Sequence, residues 1–172
     1  MTRVCSDKTT DDRSYPETRP HIPVLLNEVI EALSPQDGEI FVDGTFGAGG
    51  YTRALLEAAD CAVIAIDRDP DAIRRGIAMQ QEFAGRFVLV EGCFSDMASL
   101  IKNLPAGPKM LRGGAAEKLH GAAFDLGVCS TQLDQADRGF SFRFDGPLDM
   151  RMSKSGASAA DIVMHSDVSE LA

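Results

Sequence analysis

The sequence has few cysteines, no long apolar run, and no apolar signal-peptide core in its polar N-terminus. A membrane helix needs about 20 consecutive apolar residues, and no segment of the chain approaches that length. The four cysteines are scattered and include no C-x-x-C pair, which suggests neither a zinc site nor a disulfide framework. We therefore expect reduced thiols, no membrane span, no bound metal and a cytoplasmic location.

The chain also has fewer basic than acidic residues. The chain has 17 Lys and Arg against 26 Asp and Glu, a formal net charge of −9 at pH 7. This balance argues against a protein that binds nucleic acid through bulk electrostatics, although it leaves room for a local basic face. The 172 residues, 44% of them apolar and 25% charged, are ordinary for one globular domain with its own core.

Two nucleotide-binding signatures are missing from the stretch that organises the chain, EIFVDGTFGAGGYT over residues 39–52. A phosphate-cradling loop needs Gly-Lys-Ser/Thr, but Tyr51 follows the two glycines here. The dinucleotide fingerprint G-x-G-x-x-G meets Thr52 where its third glycine belongs. What is present is a short apolar strand, a glycine loop and the start of a helix, an arrangement that lets a ligand approach the main chain closely. A glycine-rich turn without a ligand is the alternative.

Three of the predicted strands end in a carboxylate: Asp43, Asp67 and Asp125. The strand over residues 62–66 is apolar throughout, as in parallel strands that are covered on both faces. The carboxyl ends of parallel strands share one sheet edge, where such folds bind ligands, so we expect the three carboxylates to lie together. Asp67 follows the glycines by about 20 residues, the place where α/β nucleotide folds set an acid against a ribose. A helix cap or turn former is the structural alternative for this residue.

The remaining segments complete an α/β pattern with four strands. Residues 1–20 have no periodicity and are predicted to be a flexible tail, and residues 105–120 are predicted to be a surface loop. A third strand over residues 86–90 places Phe94 just past its end, where the ring either lies against an adenine or packs in the core. Residues 129–152 are predicted to be an ordered loop whose phenylalanines form a packing layer or stack on a flipped base.

With these aspartates placed, the sequence resembles the ribosomal RNA small-subunit methyltransferases that modify the N4 amine of a cytosine, the RsmH or MraW family. The resemblance runs from about residue 21 to residue 161 and rests on HIPVLLNEVIEAL, VDGTFGAGGYT, AIDRDPDAI, DLGVCSTQLDQADRGFSF and DGPLDMRM. The last two segments are long and unusual, so they carry most of the signal. The glycine loop and the acidic turn are shared by many methyltransferases.

The resemblance implies a Rossmann-like class I methyltransferase fold with S-adenosylmethionine as its cofactor. It places seven residues around that cofactor: Gly49, Gly50, Tyr51, Asp67, Phe94, Asp125 and Gln132. In this arrangement the glycine loop lies under the methionine part, Asp67 meets the ribose hydroxyls, and the adenine lies near Phe94. Asp125 is the candidate catalytic residue, because a carboxylate that accepts an N–H bond helps a cytosine amine, whose lone pair is delocalised, to attack. The implied partner is small-subunit ribosomal RNA within an assembled subunit.

The family is considerably longer than this chain and has more strands. The resemblance therefore implies that residues 21–150 form a partial S-adenosylmethionine-binding domain and that residues 151–172 begin a helical insertion that is truncated. One sheet edge is then expected to be unpaired. Two alternatives stay open: a non-catalytic cofactor-binding fragment or incomplete gene product, and a dinucleotide-dependent oxidoreductase, against which the missing third glycine counts.

Overall fold

The computed structural model describes residues 23–104 and 118–171, so the predictions for residues 1–20 and for most of the loop at 105–120 lie outside it. The helices are α1 (Leu26–Leu33), α2 (Gly50–Ala58), α3 (Pro70–Glu82), α4 (Met97–Lys102), α5 (Ser130–Leu133), α6 (Ala159–His165) and α7 (Val168–Leu171). The strands are β1 (Ile40–Asp43), β2 (Ala62–Asp67), β3 (Phe87–Glu91) and β4 (Gly121–Ala123). Two short 3₁₀ turns cover Phe94–Asp96 and Ala136–Arg138.

The strands form one parallel sheet in the order β3-β2-β1-β4. In register, Phe41 of β1 lies beside Val63 of β2 on one side and Gly121 of β4 on the other. The chain thus runs outward from β1 to β3 and then returns to the opposite side of β1. The strand order reverses between β1 and β4, and in open α/β sheets ligands bind at the carboxyl ends of the strands beside such a reversal. This arrangement confirms the predicted incomplete Rossmann-like fold.

Both faces of the sheet are covered, which explains the continuous apolar run of β2. Val63 and Ala65 point into a cluster with Leu55 of α2 and Ala72 of α3. Their neighbours along the strand point to the other face, into a cluster packed against α4: Ala62, Ile64 and Ile66. Since side chains alternate between faces along a strand, a strand covered on both sides must be apolar at every position.

Helix α3 begins as its sequence predicts. The Asp69 carboxylate accepts the Asp71 backbone N–H at 2.9 Å, and Pro70 occupies the first helical position. Proline fits there because its missing N–H has no partner within the helix in any case. Helix α6 has a similar start, since Ser158 and Asp161 form a reciprocal capping box.

The last strand differs from its prediction. β4 ends at Ala123, whereas the sequence pattern placed the strand further along, with Asp125 at its end. The Gly44 N–H bonds the Ala123 carbonyl at 2.9 Å, and the Phe124 ring then lies directly against Gly44, so the chain leaves the sheet at that point. Asp125 therefore sits in the turn after the strand. Within the described ranges no helix has the length and apolar character that crossing a bilayer requires.

Candidate active site

A cleft of about 620 Å³ opens at the carboxyl ends of the strands, beside the reversal between β1 and β4. The glycine loop, the turns after β2, β3 and β4, and α5 all contribute to its walls. Of the seven residues that the resemblance places around a cofactor, six line this cleft: Gly50, Tyr51, Asp67, Phe94, Asp125 and Gln132. Gly49 does not line it. Gly49 is the residue before the first turn of α2, with a left-handed φ of 80°.

The side chain of Asp67 is hydrogen-bonded to the backbone of the glycine loop. One oxygen of its carboxylate accepts the Gly47 backbone N–H at 2.7 Å, and the other accepts the Asp69 N–H at 2.8 Å. Gly47 itself has a φ of 53°, which favours glycine. Asp67 is therefore a turn-forming residue, as the structural alternative holds. Its carboxylate keeps unused lone pairs that face the cleft, and the ribose-binding role stays a prediction.

Asp43 does not lie with the other two strand-end carboxylates at the cleft, contrary to expectation. It is fully buried, accepts a hydrogen bond from Thr52 Oγ1 at 2.7 Å, and accepts the Thr45 N–H at 3.1 Å. Burial raises the pKa of this carboxyl from 3.8 to about 6, and the charge of Asp67 adds to the effect while hydrogen bonds from Thr52 and Thr45 oppose it. Asp43 thus joins β1 to α2 beneath the glycine loop. The sequence analysis missed Thr52 as its partner.

Asp125 presents an exposed carboxylate to the cleft. Its backbone N–H donates to Thr45 Oγ1 at 2.7 Å, which ties the turn after β4 to the glycine loop. In the described part of the chain its side-chain oxygens have no hydrogen-bond partner, so they are available to a ligand. Burial, and then the charge of Asp125, raise the pKa of Tyr51, whose hydroxyl donates to the Val24 carbonyl.

Phe94 lines the cleft just after β3. Its ring is 40% exposed and meets Phe124 edge to face at 5.7 Å between centroids. The side chain is therefore partly open to the cleft, and within the described ranges it belongs to neither buried cluster of the sheet. The adenine-binding role stays a prediction.

Gln132 is only 6% exposed, and both polar atoms of its side chain are engaged within the protein. Its Nε2 donates to the Asp69 carboxylate at 2.8 Å, and its Oε1 accepts the Cys129 N–H at 3.1 Å. Gln132 therefore attaches α5 to the start of α3. Any contact with a cofactor would be additional to this structural role.

Arg138 is the residue that the sequence analysis missed most completely. It is 4% exposed, and its Nη1 donates to Asp69 at 3.1 Å and to Asp71 at 3.0 Å. Its Nη2 donates to the backbone carbonyl of Met152 at 3.0 Å, and Met152 lines the cleft. A single buried guanidinium thus joins the β2–α3 turn to two motifs far along the chain, QLDQADRGFSF and DMRM.

Asp71 is shared by three cations. Besides Arg138, it pairs with Lys154 at 2.7 Å and with Arg74. Hydrogen bonds from Lys154 and then from Arg74 lower the pKa of Asp71 to about 2, against the opposing effect of burial. Across residues 23–104 and 118–171, no group of three or more His, Cys, Asp or Glu side chains is arranged to hold a metal ion.

Comparison with known proteins identifies one family and several relatives that share one name. The sequence matches the MraW methylase family over residues 18–172. It is 55% identical to "Ribosomal RNA small subunit methyltransferase H" of Parvibaculum lavamentivorans over 161 residues, which are 94% of this chain and 44% of that relative. The protein of the same name from Rhodospirillum rubrum is 55% identical over 153 residues, 89% of this chain and 44% of the relative.

A relative with lower sequence identity has the same name and a similar coverage. The protein of that name from Zymomonas mobilis is 50% identical over 153 residues, 89% of this chain and 43% of the relative. The chain thus spans less than half the length of these relatives. On this match the chain belongs to the MraW methylase family.

Proposed function

We propose that this chain binds S-adenosylmethionine in the cleft and methylates the N4 amine of a cytosine in small-subunit ribosomal RNA. The main support for this proposal is that Asp67, Phe94 and Asp125 all line the same cleft. These three residues come from turns after three different strands, in a chain of the MraW methylase family. The relatives' names supply the ribosomal RNA substrate, and the cytosine amine comes from the resemblance of the motifs.

The residues of the cleft fit this cofactor. A volume of about 620 Å³ lies within the roughly 300–1,000 Å³ typical of small-molecule sites. Asp67 has lone pairs left for ribose hydroxyls, and the partly exposed Phe94 supplies an aromatic surface for an adenine. The exposed carboxylate of Asp125 complements the positive sulfonium.

When bound, the cofactor supplies an activated methyl group on a positively charged sulfur. The work of the chain is to hold and orient both reactants, because correct placement alone removes much of the barrier. Asp67 fixes the ribose while keeping the glycine loop in place. Asp125 accepts an N–H of the cytosine amine, which orients the nitrogen and raises its electron density as it attacks.

The substrate is ribosomal RNA within an assembled small subunit, in the cytoplasm. A chain of net charge −9 gains little from the bulk attraction that usually dominates binding to free nucleic acid. Contacts with ribosomal proteins and with folded RNA supply the missing affinity.

The experiment is methyl transfer to isolated small ribosomal subunits that lack this modification, with N4-methylcytidine measured by mass spectrometry of the digested RNA. Asp125→Asn keeps the size of the side chain and removes its charge, and we expect it to lower the initial rate at least about ten-fold. Asp145→Asn is the matched control, since Asp145 is exposed and lies outside the cleft. An Asp125→Asn rate equal to that of the wild type would contradict the role of Asp125.

A second candidate is cofactor binding without methyl transfer. It is favoured by one observation, that the chain spans about 44% of the length of its relatives. Tight binding of S-adenosylmethionine with no N4-methylcytidine formed would support this candidate over the first. The dinucleotide oxidoreductase has no such support, because the relatives compared above are all named methyltransferases.

A further inference from the structure

Two arginines at the cleft are unlike most other basic side chains of the molecule. Arg68 and Arg75 are exposed and line the cleft, and among residues 23–104 and 118–171 neither has a carboxylate within ion-pair distance. Six other basic residues in those ranges are paired with acids: Arg53, Arg74, Arg86, Arg138, Arg151 and Lys154. Lys102, Lys118 and Arg143 have no pairing acid there either, but they lie away from the cleft.

The difference between paired and unpaired basic side chains is clearest within helix α3. Arg74 and Arg75 are neighbours on α3, yet only Arg74 is neutralised, through Asp71. Arg75 lies three residues after Ala72, which also lines the cleft, and residues three apart share a helix face. The fold thus directs one arginine to an acid and the next to the cleft.

Arg68 marks the other end of the same wall. It follows Asp67 directly in the turn after β2, and it lines the cleft together with Cys93 in the turn after β3. Hydrogen bonds from Ser95 lower the pKa of the Cys93 thiol, and the positive charge of Arg68 contributes to that shift. The two arginines therefore flank the α3 side of the cleft.

We propose that Arg68 and Arg75 bind backbone phosphates of the RNA strand that carries the target nucleotide. This inference rests on the proposed function and names how its substrate is held. A base that reacts in a cleft must leave its stack, which brings its flanking phosphates to the cleft mouth. Arginine suits this task, because its planar fork of N–H donors matches the oxygens of a phosphate. Phosphate contacts set the position of the strand and carry no sequence information.

The test is binding of the chain to isolated small ribosomal subunits that lack this modification, measured at several salt concentrations with S-adenosylhomocysteine present. Each phosphate contact to a single strand contributes about 0.7 to the slope of log K against log salt. We expect Arg68→Gln and Arg75→Gln each to reduce that slope by about 0.7 and to weaken binding several-fold at low salt. Lys102→Gln is the matched control, because Lys102 is exposed and lies outside the cleft.

A slope equal to the wild-type slope in both arginine variants, or subunit binding with no salt dependence, would overturn the proposal. The cofactor's own carboxylate is the competing anion, and 5′-methylthioadenosine, which lacks it, tells the two apart. If the arginine variants weaken S-adenosylhomocysteine binding and leave 5′-methylthioadenosine binding unchanged, the arginines hold the cofactor and the proposal is wrong. If the wild-type chain does not bind S-adenosylhomocysteine at all, the proposed function itself is contradicted.

Discussion

At the scale of single residues, the buried carboxyl of Asp43 is the group whose ionisation matters most for stability. It has no exposed surface, and burial raises its pKa from 3.8 to about 6. Between these two values the folded chain holds a proton that the unfolded chain has released. The folded state therefore binds more protons, and the free energy of unfolding falls as the pH rises through this window.

We predict a loss of unfolding free energy on the order of 3 kcal/mol between pH 3.8 and about pH 6 from this group. In Asp43→Asn the loss should disappear, because the amide does not titrate. The substitution keeps the size of the side chain, and its amide oxygen can still accept the Thr45 N–H. Urea unfolding at several pH values compares the two chains.

Two carboxyl groups with a pKa lowered to about 2 act below this pH window. Asp71 and Asp149 have pKa values lowered to about 2, so their stabilising effect is lost as the pH falls from 3.8 toward 2. They do not mask the window in which Asp43 titrates. Equal pH dependence of the wild type and Asp43→Asn above pH 3.8 would contradict the assignment.

At the scale of elements, the segment from α5 to Met152 depends on Arg138. Arg138→Met leaves Asp69 without its cation and frees the carbonyls of Arg151 and Met152. Removing one partner of a buried ion pair typically lowers the unfolding free energy by about 3–5 kcal/mol. We predict a loss of this size in urea unfolding.

Lys154→Met is the control for this prediction. It also removes a cation from the same cluster, but the Lys154 side chain is 42% exposed. Exposed ion pairs contribute about 0–1 kcal/mol, so this variant should stay within about 1 kcal/mol of the wild type. Equal losses in the two variants would show that Arg138 does not join the segments as described.

The same segment contains a turn that only glycine fits. Gly139 has a φ of 74°, and a Cβ there would meet the Pro147 carbonyl oxygen and, at 2.8 Å, the Asp149 nitrogen. Gly38 has a similar φ of 83°, but a Cβ added at Gly38 would have nothing within 4 Å. The two glycines therefore share the backbone conformation and differ in the space around them.

We predict that Gly38→Ala lowers the unfolding free energy by about 1–2 kcal/mol, the backbone penalty alone. Gly139→Ala should lose at least about 2 kcal/mol more, because the backbone of the Pro147–Asp149 turn must also move. Thermal or urea unfolding of the pair gives the difference. Identical losses would mean that the turn yields to an added methyl group.

At the scale of the whole molecule, the sequence pattern correctly predicted those features that depend on residues close together in the chain. The apolar run of β2 and the Asp69–Pro70 start of α3 are visible in the sequence, because burial on both faces and helix capping each involve neighbouring residues. The turns after the strands brought Asp67 and Asp125 to one cleft, as parallel topology requires.

Contacts between distant parts of the chain were not predictable in this way. Arg138 meets Asp69 across a separation of 69 residues, within a segment that has no helix or strand period. Its partners depend on the assembled fold, and an arginine in a polar loop is ordinarily solvated. Asp43 was expected at the cleft with the other strand-end acids, but Thr52 in the first turns of α2 holds it inside.

The central claim, that this chain holds S-adenosylmethionine in the cleft, is tested most directly by calorimetric titration of the purified chain with the cofactor. We predict binding at one site, weakened at least about ten-fold in Asp67→Asn and unchanged in Asp145→Asn. Melting curves of all three chains show whether the loss in Asp67→Asn is local to the cleft. A cooperatively folded chain that gives no heat of binding, or equal affinity in Asp67→Asn, would contradict the claim.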